Sequence, residues 1–257
     1  MMKRLLMTLA LVFLVTLVTC CSACGGQRRE SRSVVISDIR RETVALMTID
    51  SDGDHAPTCT GVWVGPTTIV TAHHCVEFLW EKSVIEGSLG DIRPLVGMEV
   101  MYTTEDNVVG MYKVPTAEFV STVLDADPDS DLALLTTAGH DSPEHPFAVL
   151  AKRDVMQGDP VHIVGHVIGV YWTYTTGIVA GVRPDKWLYQ TSVSGPLVQI
   201  SSPTFFGNSG GGAFNEEGEL VGICSFLTRA PHTAYFVHRD SVERLMKRND
   251  LITVSEP

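Results

Sequence analysis

Three short stretches of this chain carry side chains that could do covalent chemistry together. They are Thr71-Ala72-His73-His74-Cys75, Asp131-Leu132-Ala133-Leu134-Leu135 and Gly207-Asn208-Ser209-Gly210-Gly211. A serine hydroxyl is a weak nucleophile at neutral pH. It becomes effective when a neighbouring imidazole takes its proton as it attacks a carbonyl. Histidine suits that task because it can accept the proton and return it near neutral pH. A carboxylate behind the ring fixes the tautomer and stabilises the imidazolium. Each stretch has a plainer explanation when taken singly: a structural His beside a Cys, a turn Asp before an apolar strand, a glycine-rich loop. Together, in the order His, Asp, Ser, they point to acyl transfer. Asp131 is the expected acid because the apolar run starts after it, and Asp129 is the alternative. Asp125, Asp127, Asp129 and Asp131 alternate as calcium ligands can, but the run lacks the Gly and the closing Glu of such a loop. It reads as a solvated acidic loop.

The elements that must position these residues are β-strands. From Thr43 the chain is a series of short apolar runs separated by turn residues: 43–47, 60–64, 68–71, 99–102, 118–123, 132–135, 161–164, 174–182, 197–200, 213–214, 220–226 and 235–237. Asn215-Glu216-Glu217-Gly218 is a hairpin signal between two of them. Helical spacing is scarce. A short helix is expected after His74, and Val242, Leu245 and Met246 predict a terminal helix over 241–247. Many strands and few helices argue for a sandwich or barrels. The stretch from Thr136 to Pro146 reads as the crossing between two halves.

At these motifs the chain resembles the trypsin and chymotrypsin family, and within it the HtrA/Deg-type bacterial proteases, over about residues 40–247. Thr71 to Cys75 resembles Thr-Ala-Ala-His-Cys, which makes His74 rather than His73 the catalytic residue. Asp131 to Leu135 resembles Asp-Ile-Ala-Leu-Leu. Gly207 to Gly211 with Asn215 to Gly222 resembles Gly-Asn-Ser-Gly-Gly followed by Gly-Glu-Leu-Val-Gly-Ile. The resemblance implies an all-β fold of two six-stranded antiparallel barrels, one over 41–140 with His and Asp, one over 141–257 with Ser and a terminal helix. It also implies an oxyanion hole built from the N–H groups of Gly207 and Ser209, where glycine lets the peptide turn toward the substrate. No PDZ domain of the HtrA kind is expected after Pro257.

Two departures from the family matter. Asn208 stands where trypsin-like zymogens have an Asp that pairs with a freshly cut N-terminus, and no Ile-Val-Gly-Gly start is present, so activation by N-terminal cleavage is not expected. By the match, Pro203 and Thr204 form the base of the primary pocket, and Cys224, Ser225, Phe226 and Leu227 its wall. No acid sits at the base, which argues against cleavage after Arg or Lys, and Cys224 stands where glutamyl endopeptidases place His. A small or medium apolar residue before the cut is expected.

The bulk properties limit the alternatives. The chain has 257 residues, 44% hydrophobic and 19% charged, with a formal net charge of −11. Phosphate backbones would be repelled, so no nucleic-acid partner is expected. Lys3 and Arg4 precede an apolar stretch from Leu5 to Val18 and then Cys20, Cys21 and Cys24. Residues 1–24 therefore read as a signal peptide, a lipoprotein signal with Cys20 as the lipidation candidate, or a membrane anchor. Residues 25–40 read as a linker. All three readings place the remainder outside the cytoplasm, secreted or tethered to the cell envelope. An oxidising compartment permits a disulfide, and Cys59 with Cys75 is the natural pair. His162 and His166 could share one face of a strand but lack further ligands in sequence, so no metal and no cofactor is expected. The function expected is a serine endopeptidase acting on protein or peptide substrates. The alternatives are an inactive protease-fold binding module and an esterase.

Overall fold

The apolar runs pair into two closed sheets in the computed structural model, which describes residues 35–49, 55–78, 98–105, 119–184, 192–228 and 230–252. The stretch containing Cys20 lies outside the described residues. The described residues from 38 onward form one compact unit. In the first barrel β1 (Thr43–Ile49), β2 (His55–Gly65), β3 (Thr68–Thr71), β4 (Glu99–Thr103), β5 (Phe119–Asp127) and β6 (Leu132–Thr136) run in the order β1-β2-β3-β6-β5-β4, and β4 returns to β1. The second barrel holds β7 (Pro160–Val167), β8 (Val170–Arg183), β9 (Leu197–Ser201), β10 (Gly212–Phe214), β11 (Leu220–Leu227) and β12 (Thr233–His238). Their order is β10-β11-β12-β9-β8-β7, closed by β7 on β10. Every pairing among these strands is antiparallel. Among the described strands, closure leaves no open sheet edge. The all-β double barrel expected from the sequence is therefore the observed fold.

Each barrel buries its own core. Val44, Leu46, Trp63, Ile69, Tyr102, Ala133 and Leu135 fill the first, and Val161, Ile163, Val179, Val198, Ile200, Ala213 and Phe236 fill the second. The barrels meet where β7 packs against β1 and β2, and two hydrogen bonds from outside β7 cross between them: the Trp172 indole N–H of β8 donates to the Thr43 carbonyl at 3.2 Å, and Ala148 N–H to the Trp63 carbonyl at 2.8 Å.

Helical segments cover 35–41 (α1) and 73–78 (α2), and α3 is Arg239–Arg248. His238 caps α3 through its ring nitrogen, Asp240 lies in its first turn, and Lys247 and Arg248 in its last, matching the helix dipole at both ends. Its apolar face buries Val242, Leu245 and Met246. Arg248 and Asn249 then reach across to one oxygen of Asp125 on β5, at 2.8 and 2.7 Å, tying the end of the second barrel to the first.

The structure differs from the sequence reading in several places, among them α1 over 35–41, which overlaps the stretch read as a linker. The helix near His74 begins at His73 and so contains His74. Strand β8 starts at Val170, not at Tyr174, because Ile168 and Gly169 form a two-residue turn with φ of +48° and +78°. A β-branched residue is the last expected in a left-handed turn position, so Gly169 alone was left to mark the turn. Among the described residues no helix is long and apolar enough to cross a membrane.

Candidate active site

The first barrel presents an imidazole held by a carboxylate. Helix α2 carries His74 out from the end of β3, and the tight turn ahead of β6 carries Asp131, whose φ is +52°. Pairing of β3 with β6, Thr71 opposite Ala133, brings the two together. His74 Nδ1 lies 2.9 and 3.0 Å from the two Asp131 oxygens, and the His74 backbone N–H donates to Oδ1 at 2.9 Å. With Asp131 on Nδ1, the proton sits on that nitrogen and Nε2 is left as the acceptor. The His74 side chain is 42% exposed and that of Asp131 only 10%, so the ring is reachable and the acid is not. His73 turns instead along α2 toward Glu77, 3.9 Å away.

A third group on Asp131 was not foreseen. The Ser225 hydroxyl, from β11 of the second barrel, donates to Asp131 Oδ2. Ser225 is also expected in the pocket wall, where its backbone would have to serve, since its hydroxyl is bonded to the carboxylate. Cys224, expected beside it, turns its side chain inward. It is buried in the core of the second barrel, and its thiol is pushed up to about 12 by burial and then by the Asp131 charge. Phe226 stacks on Tyr235 with ring centroids 5.0 Å apart, and Leu227 packs against the barrel core. Pro203 is exposed and Thr204 half-buried, its hydroxyl bonded to that of Ser202. Asp129, the alternative acid, offers its carbonyl to Ser194 N–H, while Asp125 holds Arg248 and Asp127 caps the Ser130 N–H at 3.3 Å.

The second barrel presents Ser209 on a loop whose backbone is accounted for atom by atom. Phe205 and Asn208 close a turn at 3.2 Å, and Gly207, third in the turn, has φ +96°, which defines type II geometry. No other residue fits there. A Cβ on Gly207 would lie 2.1 Å from the His166 carbonyl oxygen. The carbonyls of Phe206, Gly207, Asn208 and Ser209 accept from Ile168 N–H (2.9 Å), Thr60 Oγ1 (2.7 Å), Gly211 N–H (2.8 Å) and Thr60 N–H (2.8 Å). The N–H groups of Asn208, Gly210 and Gly211 are likewise bonded. Among the described residues the N–H groups of Gly207 and Ser209 meet no acceptor, as do those of Phe205 and Phe206 earlier in the loop. The first two are free donors beside the serine, as an oxyanion requires.

Ser209 lies against the His74 segment through its backbone: its carbonyl oxygen is 3.6 Å from Cys75 Sγ. Among the described residues its hydroxyl has no hydrogen-bond partner, and His74 Nε2 is not bonded to it. Cys59 and Cys75 are disulfide-bonded, fastening β2 to α2 directly beneath the site. The two sulfurs and a His74 ring nitrogen fall within 4.8 Å of one another, but sulfurs spent in a disulfide offer no thiolate to a metal.

The remaining predicted residues are structural neighbours of the site. Asn208 is buried at 1% exposure, and neither polar atom of its side chain has a partner among the described residues. Gly165 makes room for it, since a Cβ there would lie 2.1 Å from Asn208 Oδ1. His162 Nδ1 meets the Tyr174 hydroxyl at 2.7 Å. His166 accepts the Trp172 backbone N–H at 3.2 Å, and complete burial pushes its pKa down to about 3.

Comparison with known proteins agrees with this geometry. Residues 59–223 match the family model described as a trypsin-like peptidase domain. Curated relatives include the "Serine protease HtrA-like" proteins of Staphylococcus aureus strains bovine RF122 / ET3-1 and USA300. Each is 27% identical over 138 residues, which make up 50% of this chain and 18% of the relative. The chain thus spans less than a fifth of the length of those relatives. Among solved structures, the active form of the Rv3671c protease from M. tuberculosis is similar with TM-score 0.60 and 18% identity, covering 87% of this chain and 86% of that one. The HtrA-type protease AlgW with tripeptide is similar with TM-score 0.62 and 17% identity, covering 84% and 62%. At such identities these two likenesses speak for the fold.

Proposed function

The chain belongs to the trypsin-like peptidase family and is by that membership a serine-type peptidase; from this premise we propose that it cleaves polypeptides internally, through His74, Asp131 and Ser209. The observation that carries the reading is the Asp131 carboxylate on His74 Nδ1, beside a serine whose loop keeps the Gly207 and Ser209 N–H groups free. Substrate enters between the barrels with its carbonyl oxygen toward the N–H groups of Gly207 and Ser209. The Ser209 hydroxyl closes onto Nε2 of His74, which takes the proton as Oγ attacks. Asp131 holds the imidazolium, and the proton then passes to the leaving amine. Water repeats the sequence on the acyl-enzyme. An unjoined Ser–His pair in the free enzyme is compatible with this, because catalytic hydrogen bonds commonly tighten on substrate binding.

The side chain before the cut is small or medium and apolar, since neither Pro203 nor Thr204 supplies a carboxylate to offset burial of a Lys or Arg head. The HtrA-type protease AlgW, solved with a tripeptide, supports a peptide substrate. The Cys59–Cys75 disulfide and the apolar N-terminal stretch support action outside the cytoplasm, from a secreted or envelope-tethered protein. Incubation with unfolded casein tests the activity: wild type should release fragments and Ser209→Ala none. Cleavage of small esters alone would mark an esterase, and inertness toward both would mark a binding module. A peptide library with every residue type before the cut tests the pocket, and a preference for Arg, Lys or Glu would overturn the apolar reading.

A further inference from the structure

The oxyanion donors are useful only if the peptides that carry them hold one orientation. A glycine with φ +96° gives that orientation little intrinsic stiffness, because glycine turns with a low barrier on both sides of its Cα. The peptide between Phe206 and Gly207 is planar and trans, so its N–H points opposite to the Phe206 carbonyl. Ile168 N–H pins that carbonyl. The next peptide, between Gly207 and Asn208, is pinned through the Gly207 carbonyl by Thr60 Oγ1 at 2.7 Å. With both flanking planes fixed, Gly207 has no rotation left, and its N–H is held free of any internal acceptor.

We propose that Thr60 is a positioning residue for oxyanion stabilisation, acting through Gly207 from the other barrel and never touching the substrate. The proposal rests on the peptidase reading above. Thr60 is suited to the task by its place. It is fully buried on β2, and its N–H holds the Ser209 carbonyl at 2.8 Å while its side chain holds that of Gly207. Its own carbonyl accepts the Thr71 hydroxyl at 2.8 Å, at the end of the strand that leads to His74. Its preceding residue, Cys59, is disulfide-bonded to the residue after His74. One residue therefore registers the serine loop against the histidine segment. The hydroxyl is the separable part. Thr60 N–H serves Ser209 whatever the side chain, whereas only a hydroxyl serves Gly207. Valine keeps the shape and deletes the bond.

The test is a kinetic comparison of wild type, Thr60→Val, Thr60→Ser and Ser209→Ala on a fluorogenic peptide with an apolar residue before the cut, together with inhibition by a peptide boronate of the same sequence. Removing a direct oxyanion donor costs about 10²–10³ in kcat, and loosening one should cost less. Thr60→Val should lower kcat by about tenfold or more with KM within about twofold, and weaken the boronate by a similar factor. Thr60→Ser, which keeps the hydroxyl, should stay within about threefold of wild type. If the melting curve shows Thr60→Val unfolded, Thr60→Cys, with its weak donor, replaces it and should show the same kcat-only loss. A valine or cysteine variant with wild-type kcat, a loss confined to KM, or a serine variant as damaged as valine would overturn the proposal. A wild-type rate no higher than Ser209→Ala would instead overturn the peptidase reading.

Discussion

The two barrels hold their shares of the site by different means. The first presents His74 through side-chain bonds: both Asp131 oxygens lie on one ring nitrogen, and Ser225 steadies the acid from behind. The second presents Ser209 through its main chain: four successive carbonyls from Phe206 to Ser209 are each bonded, two of them by Thr60 of the first barrel. A side-chain bond is removed by one substitution. A main-chain bond survives most substitutions and fails only when a glycine or its anchor changes. The histidine side should thus be the more sensitive to isosteric replacement, and the serine side to added bulk.

The largest effects test the members themselves. Ser209→Ala and His74→Ala should each cost about 10⁴–10⁶ in kcat with the melting temperature nearly unchanged, while His73→Ala should stay within a few-fold of wild type. The reverse ranking of the two histidines would break the assignment of the first barrel. Asp131→Asn should cost on the order of 10³–10⁴ by disturbing the ring tautomer. The same change at Asp129, which offers only its carbonyl to Ser194, should be mild; steady-state kinetics on one peptide decides it. Ser225→Ala removes a hydrogen bond to a buried carboxylate and should lower kcat by about tenfold, with KM little changed. On the serine side, Gly207→Ala should remove activity by steric conflict with the His166 carbonyl, although no functional atom is deleted.

The smallest effects are on stability, where each barrel contributes one buried titrating group near the contact of β1 with β7. Glu42 is pushed up from 4.5 to about 7 by burial and then by Asp38. Its folded form keeps a proton that the unfolded chain releases, so it costs nothing below pH 4.5 and progressively more up to about pH 7. The full cost is on the order of 3 kcal/mol. His166 is pushed down from 6.5 to about 3, so its contribution is complete above pH 6.5 and is lost as pH falls toward 3. Between about pH 4.5 and 6.5 the two slopes oppose each other. In urea melts over that window, Glu42→Gln should make stability rise more steeply with pH, and His166→Phe should make it fall. Parallel curves for all three proteins would contradict the buried, oppositely shifted pair.

Sequence patterning revealed the side-chain half of the site better than the main-chain half. His74, Asp131 and the strands behind them were legible because residue type carries the chemistry and alternation carries the strand. The Ser225 hydroxyl on Asp131 was not, because its partner lies in the other barrel and no local spacing links them. Ile168 was missed as a turn residue because its left-handed φ goes against its type. Thr60 was read only as part of a strand, since a buried threonine on β2 looks like any other until the Gly207 carbonyl is placed against it. Asn208 was legible as a departure from the zymogen pattern, but the absence of any described partner for its amide emerged only from the packing at Gly165.

The central claim is that Ser209 is a nucleophile made reactive by His74. A fluorophosphonate probe, followed by mass mapping of the modified peptide, reads this directly because the probe reacts with activated serines and needs no knowledge of the substrate. The account predicts one label per chain, located on Ser209, abolished in His74→Ala and unaffected in His73→Ala. Labelling at another serine, no labelling of folded wild-type protein, or labelling of Ser209 that persists without His74 would contradict it.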